Sequence, residues 1–197
     1  MKIVLASTSK YRKQILEKLQ IPFSCVAPNV DETSLSNESA SALVERLAIS
    51  KAHAAGENIK DAFIIGSDQV ASLNGKILGK PGNYARAFEQ LKDSSGHSVM
   101  FHTGLCIFDS RQQTTLSRVE NFAVTFKNLS DQQINTYLRA EKPFDCAGSF
   151  KSEGLGIMLF NELKGRDPNT LVGLPLILLT ELFSEVGIDL FEHIDFV

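Results

Sequence analysis

The dipeptide Asn74-Gly75 constrains this chain more than any other pair of residues in it. Asn-Gly supplies the two positive-φ positions of a tight hairpin turn, and here it separates the strand-like segments Val70 to Leu73 and Lys76 to Leu78. A two-residue turn sets Leu73 opposite Lys76, and counting outward puts Lys80 opposite Gln69, next to Asp68. Strict alternation aims Asp68 and Lys80 at opposite faces, so the two charges share a pocket only if pairing ends early or carries a bulge. Just upstream, Phe63-Ile64-Ile65 has the continuous apolar character of a buried strand. Gly66-Ser67-Asp68-Gln69 then intervenes before apolar residues resume at Val70. Asp68 is thus a carboxylate among core-like neighbours, where an unpartnered charge is strongly disfavoured.

The segments on either side complete an alternation of strands and helices. Lys2 to Ala6 is an apolar run, Ser7-Thr8-Ser9 offers cap hydroxyls, and Ile15, Leu16 and Leu19 continue at helical spacing. Phe23 to Ala27, bounded by prolines, predicts a second strand that empties into the polar loop Asn29 to Asn37 carrying Asp31 and Glu32. From Ala40, the apolar stripe Leu43, Val44, Leu47, Ala48, Ala52 and Ala55 predicts a helix with Lys51 near its packed edge. Tyr84, Phe88 and Leu91 predict another, ending near Gly96. Ser98 to Phe108 and Thr114 to Phe126 predict two long strands around a polar turn. Ser130 with Gln133 is a capping-box pattern for a helix through Ala140, and Pro175 opens a last helix along Leu176, Leu179 and Phe183. Asp145 to Gly156, rich in Gly and Ser and carrying Lys151 and Glu153, predicts a loop that approaches a ligand. Together these predict an α/β protein with a mixed sheet.

Bulk properties remove several function classes. With 197 residues, 43% of them hydrophobic, the chain can bury a sizeable core. Its longest strongly apolar run, Leu171 to Leu179, is broken by Gly173 and Pro175 and is too short to span a bilayer, and the start lacks a signal-peptide pattern, so a cytosolic address without membrane association is expected. A net charge of -3 argues against binding a nucleic-acid polymer while leaving room for a local basic pocket. Cys25, Cys106 and Cys146 have neither CxxC spacing nor nearby His and are expected to be small buried hydrophobes. His53, His97, His102 and His193 show no paired metal spacing.

Two constellations carry chemistry. The strand-turn-helix Leu5 to Lys13 places backbone N–H groups, hydroxyls and cations at a helix N-terminus, an anion site in outline, although the same residues also suit an ordinary Ser cap on a solvated basic helix. A dinucleotide fingerprint is absent, and Gly79-Lys80-Pro81 lacks the spaced glycine and Ser/Thr of a Walker loop. The second constellation is Asp31, Glu32 and Asp68, expected at strand ends or loops, where carboxylates converge on a hard cation. Lys51 and Lys80 with Arg12 suit the neutralisation of a triphosphate, or else extend their aliphatic stems along the surface. Ser149 and Ser152 flank Lys151 without a nucleophile elbow, which leaves a serine hydrolase poorly supported.

Leu5-Ala6-Ser7-Thr8-Ser9-Lys10-Tyr11-Arg12, Val30-Asp31-Glu32-Thr33, Lys51-Ala52, Gly66-Ser67-Asp68-Gln69-Val70 and Gly79-Lys80-Pro81-Gly82 resemble, in order and spacing, the Maf family of nucleotide pyrophosphatases. The resemblance covers nearly the whole chain. Phe101-His102-Thr103-Gly104, Asp145 to Gly154 and Gly165 to Asn169 look like the branch of that family that hydrolyses 7-methyl-GTP. The resemblance implies a Maf/ITPase-like fold over residues 1–197, a single unit of two lobes with an elongated mixed sheet around a nucleotide cleft, often assembled as a homodimer. It implies Asp68 as general base, with Ser7, Arg12, Glu32, Lys51 and Lys80 at phosphate, metal and catalytic positions. A divalent cation, Mg²⁺ or Mn²⁺, would be held by Glu32 and Asp68. Tyr11, Gln69 and Glu153 match the positions that distinguish the branch's substrate. N7-methylation gives the purine cationic character, which favours an aromatic face and a carboxylate such as Tyr11 and Glu153. Lys10 departs from the family's usual Pro. A pyrophosphatase for dTTP, UTP or another modified nucleotide, and a nucleotide-sensing regulator of cell division, are the competing readings.

Overall fold

In the computed structural model, which describes residues 1–195, a seven-stranded open sheet carries five helices. The final two residues of the expected unit 1–197 lie outside the described residues. In chain order the strands are β1 (Ile3–Ala6), β2 (Ser24–Val26), β3 (Phe63–Leu73), β4 (Lys76–Leu78), β5 (Ser98–Asp109), β6 (Thr114–Phe126) and β7 (Phe160–Lys164). The helices are α1 (Lys10–Glu17), α2 (Ala40–Gly56), α3 (Tyr84–Ser94), α4 (Asp131–Glu141) and α5 (Leu176–Glu185). The order across the sheet is β2-β1-β3-β5-β6-β7, with β4 also on β3; β1 runs parallel to β2 and β3, and the other pairs are antiparallel.

The two long strands expected around residues 109–113 form as β5 and β6, and Ser130 with Gln133 makes the capping box that starts α4. The hairpin at Asn74-Gly75 forms in the expected register, Leu73 opposite Lys76, with both turn residues at positive φ. The elements with no counterpart in the sequence reading include β7, whose sequence Phe-Asn-Glu-Leu-Lys is mostly polar because it is an edge strand, and the short 3-10 turns Leu155–Leu159, Pro168–Val172 and Leu190–His193.

Apolar side chains divide among three clusters according to strand position and face. Ile3, Leu5, Phe63, Ile65, Leu105 and Ile107 pack beneath α1 and α5, whereas the alternate residues Val4, Ala6, Ile64, Cys106 and Phe108 pack against α2 on the opposite face. A third cluster fills the other end of the long strands, with Phe101, Phe122, Val124 and Phe126 against α3 and α4. Helices on both faces of the parallel strands give a doubly wound arrangement. From β1 the chain crosses one face to β2 and then the opposite face to β3, which makes the carboxyl end of β1 a topological switch point.

The close packing of α2 depends on two missing side chains. A Cβ on Gly66 would lie 2.1 Å from the Ala48 carbonyl oxygen, and one on Gly104 would lie 2.1 Å from that of Val44. Gly66 therefore lets β3 continue beneath the helix rather than ending it. Asp68, expected at a strand end, lies within the unbroken strand Phe63–Leu73.

Candidate active site

On the edge of β3 away from β5, β1 pairs with Phe63 to Gly66 and β4 with Ala71 to Leu73. Between them, Ser67 to Val70 have no strand partner on that edge among the described residues, and this gap opens into a cavity of about 620 Å³. Its walls come from the β1–α1 turn, one face of α2, the chain after β4, and the segments around residues 145–153 and 171–172. The cavity thus sits at the switch point, where strand ends and helix N-termini leave polar groups unpaired.

The charged centre is short-range. Lys51 reaches from α2 and places Nζ 2.6 Å from Asp68 Oδ1 and 2.5 Å from Glu32 Oε1. The Lys51 and Asp68 side chains are 6% and 10% exposed, so the ion pair is largely withdrawn from water, whereas Glu32 is 57% exposed on its loop. Burial, the largest single influence on Glu32, raises its carboxyl, but the Lys51 hydrogen bond and the charges of Lys51, Lys80 and Arg12 outweigh it and hold the group below the usual carboxylate range. Among the described residues, Asp68 Oδ2 has no hydrogen-bond donor in the protein, which leaves one carboxylate oxygen for the cavity.

The opening turn contributes in two ways. Ser9 caps α1 by accepting from the Arg12 N–H, and Lys10 is simply the first helical residue, so its departure from proline does not disturb the turn. The Ser7 hydroxyl accepts from the Ser9 N–H at 3.1 Å. Arg12 Nε donates at 2.9 Å to the carbonyl of Gly173, a residue held at φ 97°, and its terminal nitrogens make no protein hydrogen bond among the described residues. Burial lowers the Arg12 guanidinium from its ordinary value, opposed by the charges of Asp68 and Glu32.

β4 stops pairing at Leu78, so Lys80 is freed from the register that would have turned it away from Asp68, and both line the cavity. Early termination, rather than a bulge, resolves the geometry left open by the hairpin count. At the other end stand Tyr11, Asp145, Cys146 and Glu153. Burial raises the Tyr11 phenol, and Cys146, Asp145 and Glu153 raise it further against the opposing charge of Lys151, so Tyr11 presents a neutral ring.

The nine site residues that the family resemblance implies, Ser7, Tyr11, Arg12, Glu32, Lys51, Asp68, Gln69, Lys80 and Glu153, all line this cavity. Asp31 is not among its lining residues: its carboxylate turns back to accept from the Thr33 N–H at 2.9 Å. Lys51 is more deeply buried than a helix-edge position suggests. The cysteine reading holds only for Cys106, since Cys25 is exposed and Cys146 is half-buried at the cavity wall, where burial pushes its thiol up to about 12. Asp145 also lines the cavity, and in the sequence nothing sets it apart from the motif Asp145 to Gly154 that contains it. The carbonyls of Thr170 and Gly173, which accept from Gln69 and Arg12 respectively, are not legible in the sequence, because backbone acceptors leave no side-chain signal.

An open α/β sheet with a bipolar cavity at its switch point, cationic at one end and acidic and aromatic at the other, defines a class of proteins suited to a small polyanion carrying an electron-poor ring. A family model described as Maf-like protein matches residues 2–186, and the chain belongs to the Maf family. A protein of Pseudoalteromonas atlantica named 7-methyl-GTP pyrophosphatase is 60% identical over 98% of this chain and 99% of its own length. A protein of Colwellia psychrerythraea with the same name is 58% identical over 95% of this chain and 94% of its own. Among solved structures, the Ham1 protein of Staphylococcus aureus aligns over 95% of this chain and 100% of its own with a TM-score of 0.52 at 14% identity, a likeness of fold alone. Among the described residues no helix is long and apolar enough to cross a membrane.

Proposed function

We propose that this chain hydrolyses 7-methyl-GTP between the α- and β-phosphates, releasing 7-methyl-GMP and diphosphate. The observation that carries this reading is the Lys51 bridge between Glu32 and Asp68 at the gap in the β3 edge, with Arg12 and Lys80 on the same cavity. A carboxylate with a free oxygen, set among cations, suits the attack of water on a polyphosphate. The names of the relatives support the substrate.

In this mechanism Asp68 accepts the proton of the water that attacks the α-phosphorus, through the oxygen that Lys51 does not use. The P–O bond to the β-phosphate breaks, and Arg12, Lys51 and Lys80 stabilise the negative charge that moves onto diphosphate. Diphosphate leaves as a stable anion and needs no dedicated acid. The proton on Asp68 then passes to solvent. Ser7 and the backbone of the β1–α1 turn orient the phosphates at the N-terminus of α1.

A divalent cation, Mg²⁺ or Mn²⁺, fits a restricted donor set here. Among the described residues no group of three or more His, Cys, Asp and Glu gathers as a metal site. Glu32 and Asp68 offer hard oxygens and suit an ion that takes one or two carboxylates and completes its shell with phosphate and water. When bound, such an ion polarises the phosphate oxygens. At the opposite end, the ring of Tyr11 and the carboxylate of Glu153 match the cationic character of a 7-methylated purine.

Diphosphate release measured with 7-methyl-GTP, GTP, dTTP and UTP, each with Mg²⁺ or Mn²⁺, tests the assignment. The expected order has 7-methyl-GTP highest in kcat/KM; equal or faster release from UTP overturns the substrate.

A further inference from the structure

Gln69 lies on the face of β3 opposite Asp68, and its amide is committed on one side. Nε2 donates at 2.9 Å to the Thr103 hydroxyl and at 2.5 Å to the Thr170 carbonyl. The Thr103 hydroxyl in turn donates its single proton to the same Thr170 carbonyl at 3.2 Å. Both wall atoms facing Gln69 are therefore acceptors. A flipped amide would set Oε1 against a carbonyl oxygen and against a hydroxyl whose proton is already used, so the orientation is fixed by chemistry. Thr103 and Thr170 are 0% exposed, which removes water as an alternative partner.

The Thr170 carbonyl is itself held. The turn Pro168–Val172 is capped by Asp167, 1% exposed, whose carboxylate accepts from the Asn169 N–H at 2.8 Å and from the Ile177 N–H at 2.9 Å. This turn thus ties the wall of the cavity to the first turn of α5. Gln69 lines the cavity, and among the described residues its Oε1 has no donor in the protein.

We propose that Thr103 and the Asp167-capped turn are positioning residues that lock Gln69 so that it meets the nucleotide as a hydrogen-bond acceptor only, and that the site thereby selects a ligand presenting a donor at that point. The inference rests on the nucleotide reading above and deepens it. The donor has two sources on a guanosine nucleotide: the 2-amino group of the base edge and the 2′-hydroxyl of the ribose. A carbonyl fixed by its own wall cannot rotate to offer an N–H, so a ligand lacking the donor leaves Oε1 unpaired instead of being accommodated.

Binding of product-like monophosphates separates these sources without turnover. Calorimetry on the full chain compares 7-methyl-GMP with 7-methyl-IMP, which lacks the 2-amino group, and with 2′-deoxy-7-methyl-GMP. The wild-type protein is expected to bind one of the two analogues about tenfold more weakly than 7-methyl-GMP, the scale of one neutral hydrogen bond. Gln69→Met should flatten that ratio toward one. Thr103→Val, which keeps the volume and removes the hydroxyl, should narrow it, and Thr103→Ser should restore it, which a purely structural role for Thr103 would not produce. Equal wild-type affinity for all three ligands, or a Gln69→Met protein that keeps the wild-type ratio, overturns the inference. Failure to release diphosphate from any nucleoside triphosphate overturns the pyrophosphatase reading instead, and leaves the affinity ratios to decide this one.

Discussion

Lys51 and Asp68 meet across two layers of the fold: an ammonium rooted in α2 lies 2.6 Å from a carboxylate rooted in the middle of β3. Neither residue could sit where it does alone, because each is a charge withdrawn from water. The contact also requires Gly66, two residues before Asp68, since only a glycine there lets the helix backbone approach β3 this closely.

Removing one partner should therefore cost more than removing both. Lys51→Met leaves Asp68 beside Glu32 with no cation between them. Its expected cost is toward the lower end of about 3–5 kcal/mol, because the cavity admits water and Glu32 is mostly exposed. The double variant Lys51→Met/Asp68→Asn should recover part of that loss. Urea denaturation of the two variants measures both; a double variant no more stable than the single one would sink the account of the pair.

Asp68→Asn should keep the fold, since an amide can still accept from Lys51, and lose the proton acceptor. The expected drop in kcat is about 10²–10⁴-fold with nucleotide affinity retained. A variant that still turns over at the wild-type rate would remove Asp68 from the chemistry, and one that keeps a cellular effect without hydrolysis would favour the nucleotide-sensing reading.

Gly66→Ala probes the helix approach. The added methyl meets the Ala48 carbonyl at 2.1 Å, which backbone cannot accommodate without moving α2. The expected loss is about 1–3 kcal/mol with a parallel fall in kcat, because a displaced α2 carries Lys51 with it. Wild-type activity in a destabilised Gly66→Ala protein would show that the position of Lys51 does not depend on this contact.

How far the site could be read from sequence follows from what kind of atom does the work. Side chains with unusual chemistry for their surroundings, such as Asp68 after Phe63-Ile64-Ile65, stand out in a pattern of apolar residues. The hairpin count brought Lys80 to the right neighbourhood, yet it could not say that β4 stops at Leu78, because strand termination depends on tertiary contacts beyond the local pattern. Gly66 looked like an interruption of the strand, since its purpose lies in the helix above it. β7 was invisible because an exposed edge strand has no buried face to impose alternation. The carbonyls of Thr170 and Gly173 act through backbone that any residue carries, so nothing in the side-chain pattern distinguishes that turn, and its Asp167 cap and the glycine at φ 97° emerge only in the structure.

Glu38 and Arg46 give a pH-dependent prediction remote from the chemistry. Arg46 donates to both oxygens of Glu38 and to the Thr33 carbonyl, and so pins the loop that carries Glu32 onto α2. The hydrogen bond from Arg46, with one from the Leu35 N–H, holds the Glu38 carboxyl down at about 2 from an ordinary 4.5. A depressed folded-state value means that the stabilisation is fully present above 4.5 and is lost as pH falls through that window toward 2. The stability difference between wild type and Glu38→Gln should then shrink as pH is lowered through the same range. A difference that is flat with pH would show that this ion pair does not hold the loop.

Metal removal separates an ion that belongs to the protein from one that arrives with the nucleotide. Glu32 and Asp68 already share the Lys51 ammonium, and among the described residues no third carboxylate, His or Cys joins them as a metal-binding group. The nucleotide-free protein should therefore bind Mg²⁺ weakly, because two carboxylates bridged by a cation offer little net negative charge. Chelation with EDTA is expected to stop diphosphate release while moving the nucleotide-free Tm by no more than about 1 °C, since a ligand that hardly binds the native state hardly stabilises it. Added Mg²⁺ should raise Tm only when 7-methyl-GTP or a non-hydrolysable analogue is present, since phosphate oxygens then supply the missing ligands. A fall of several degrees in EDTA without nucleotide would place a resident ion in this cavity and overturn the account of an ion that arrives with the nucleotide.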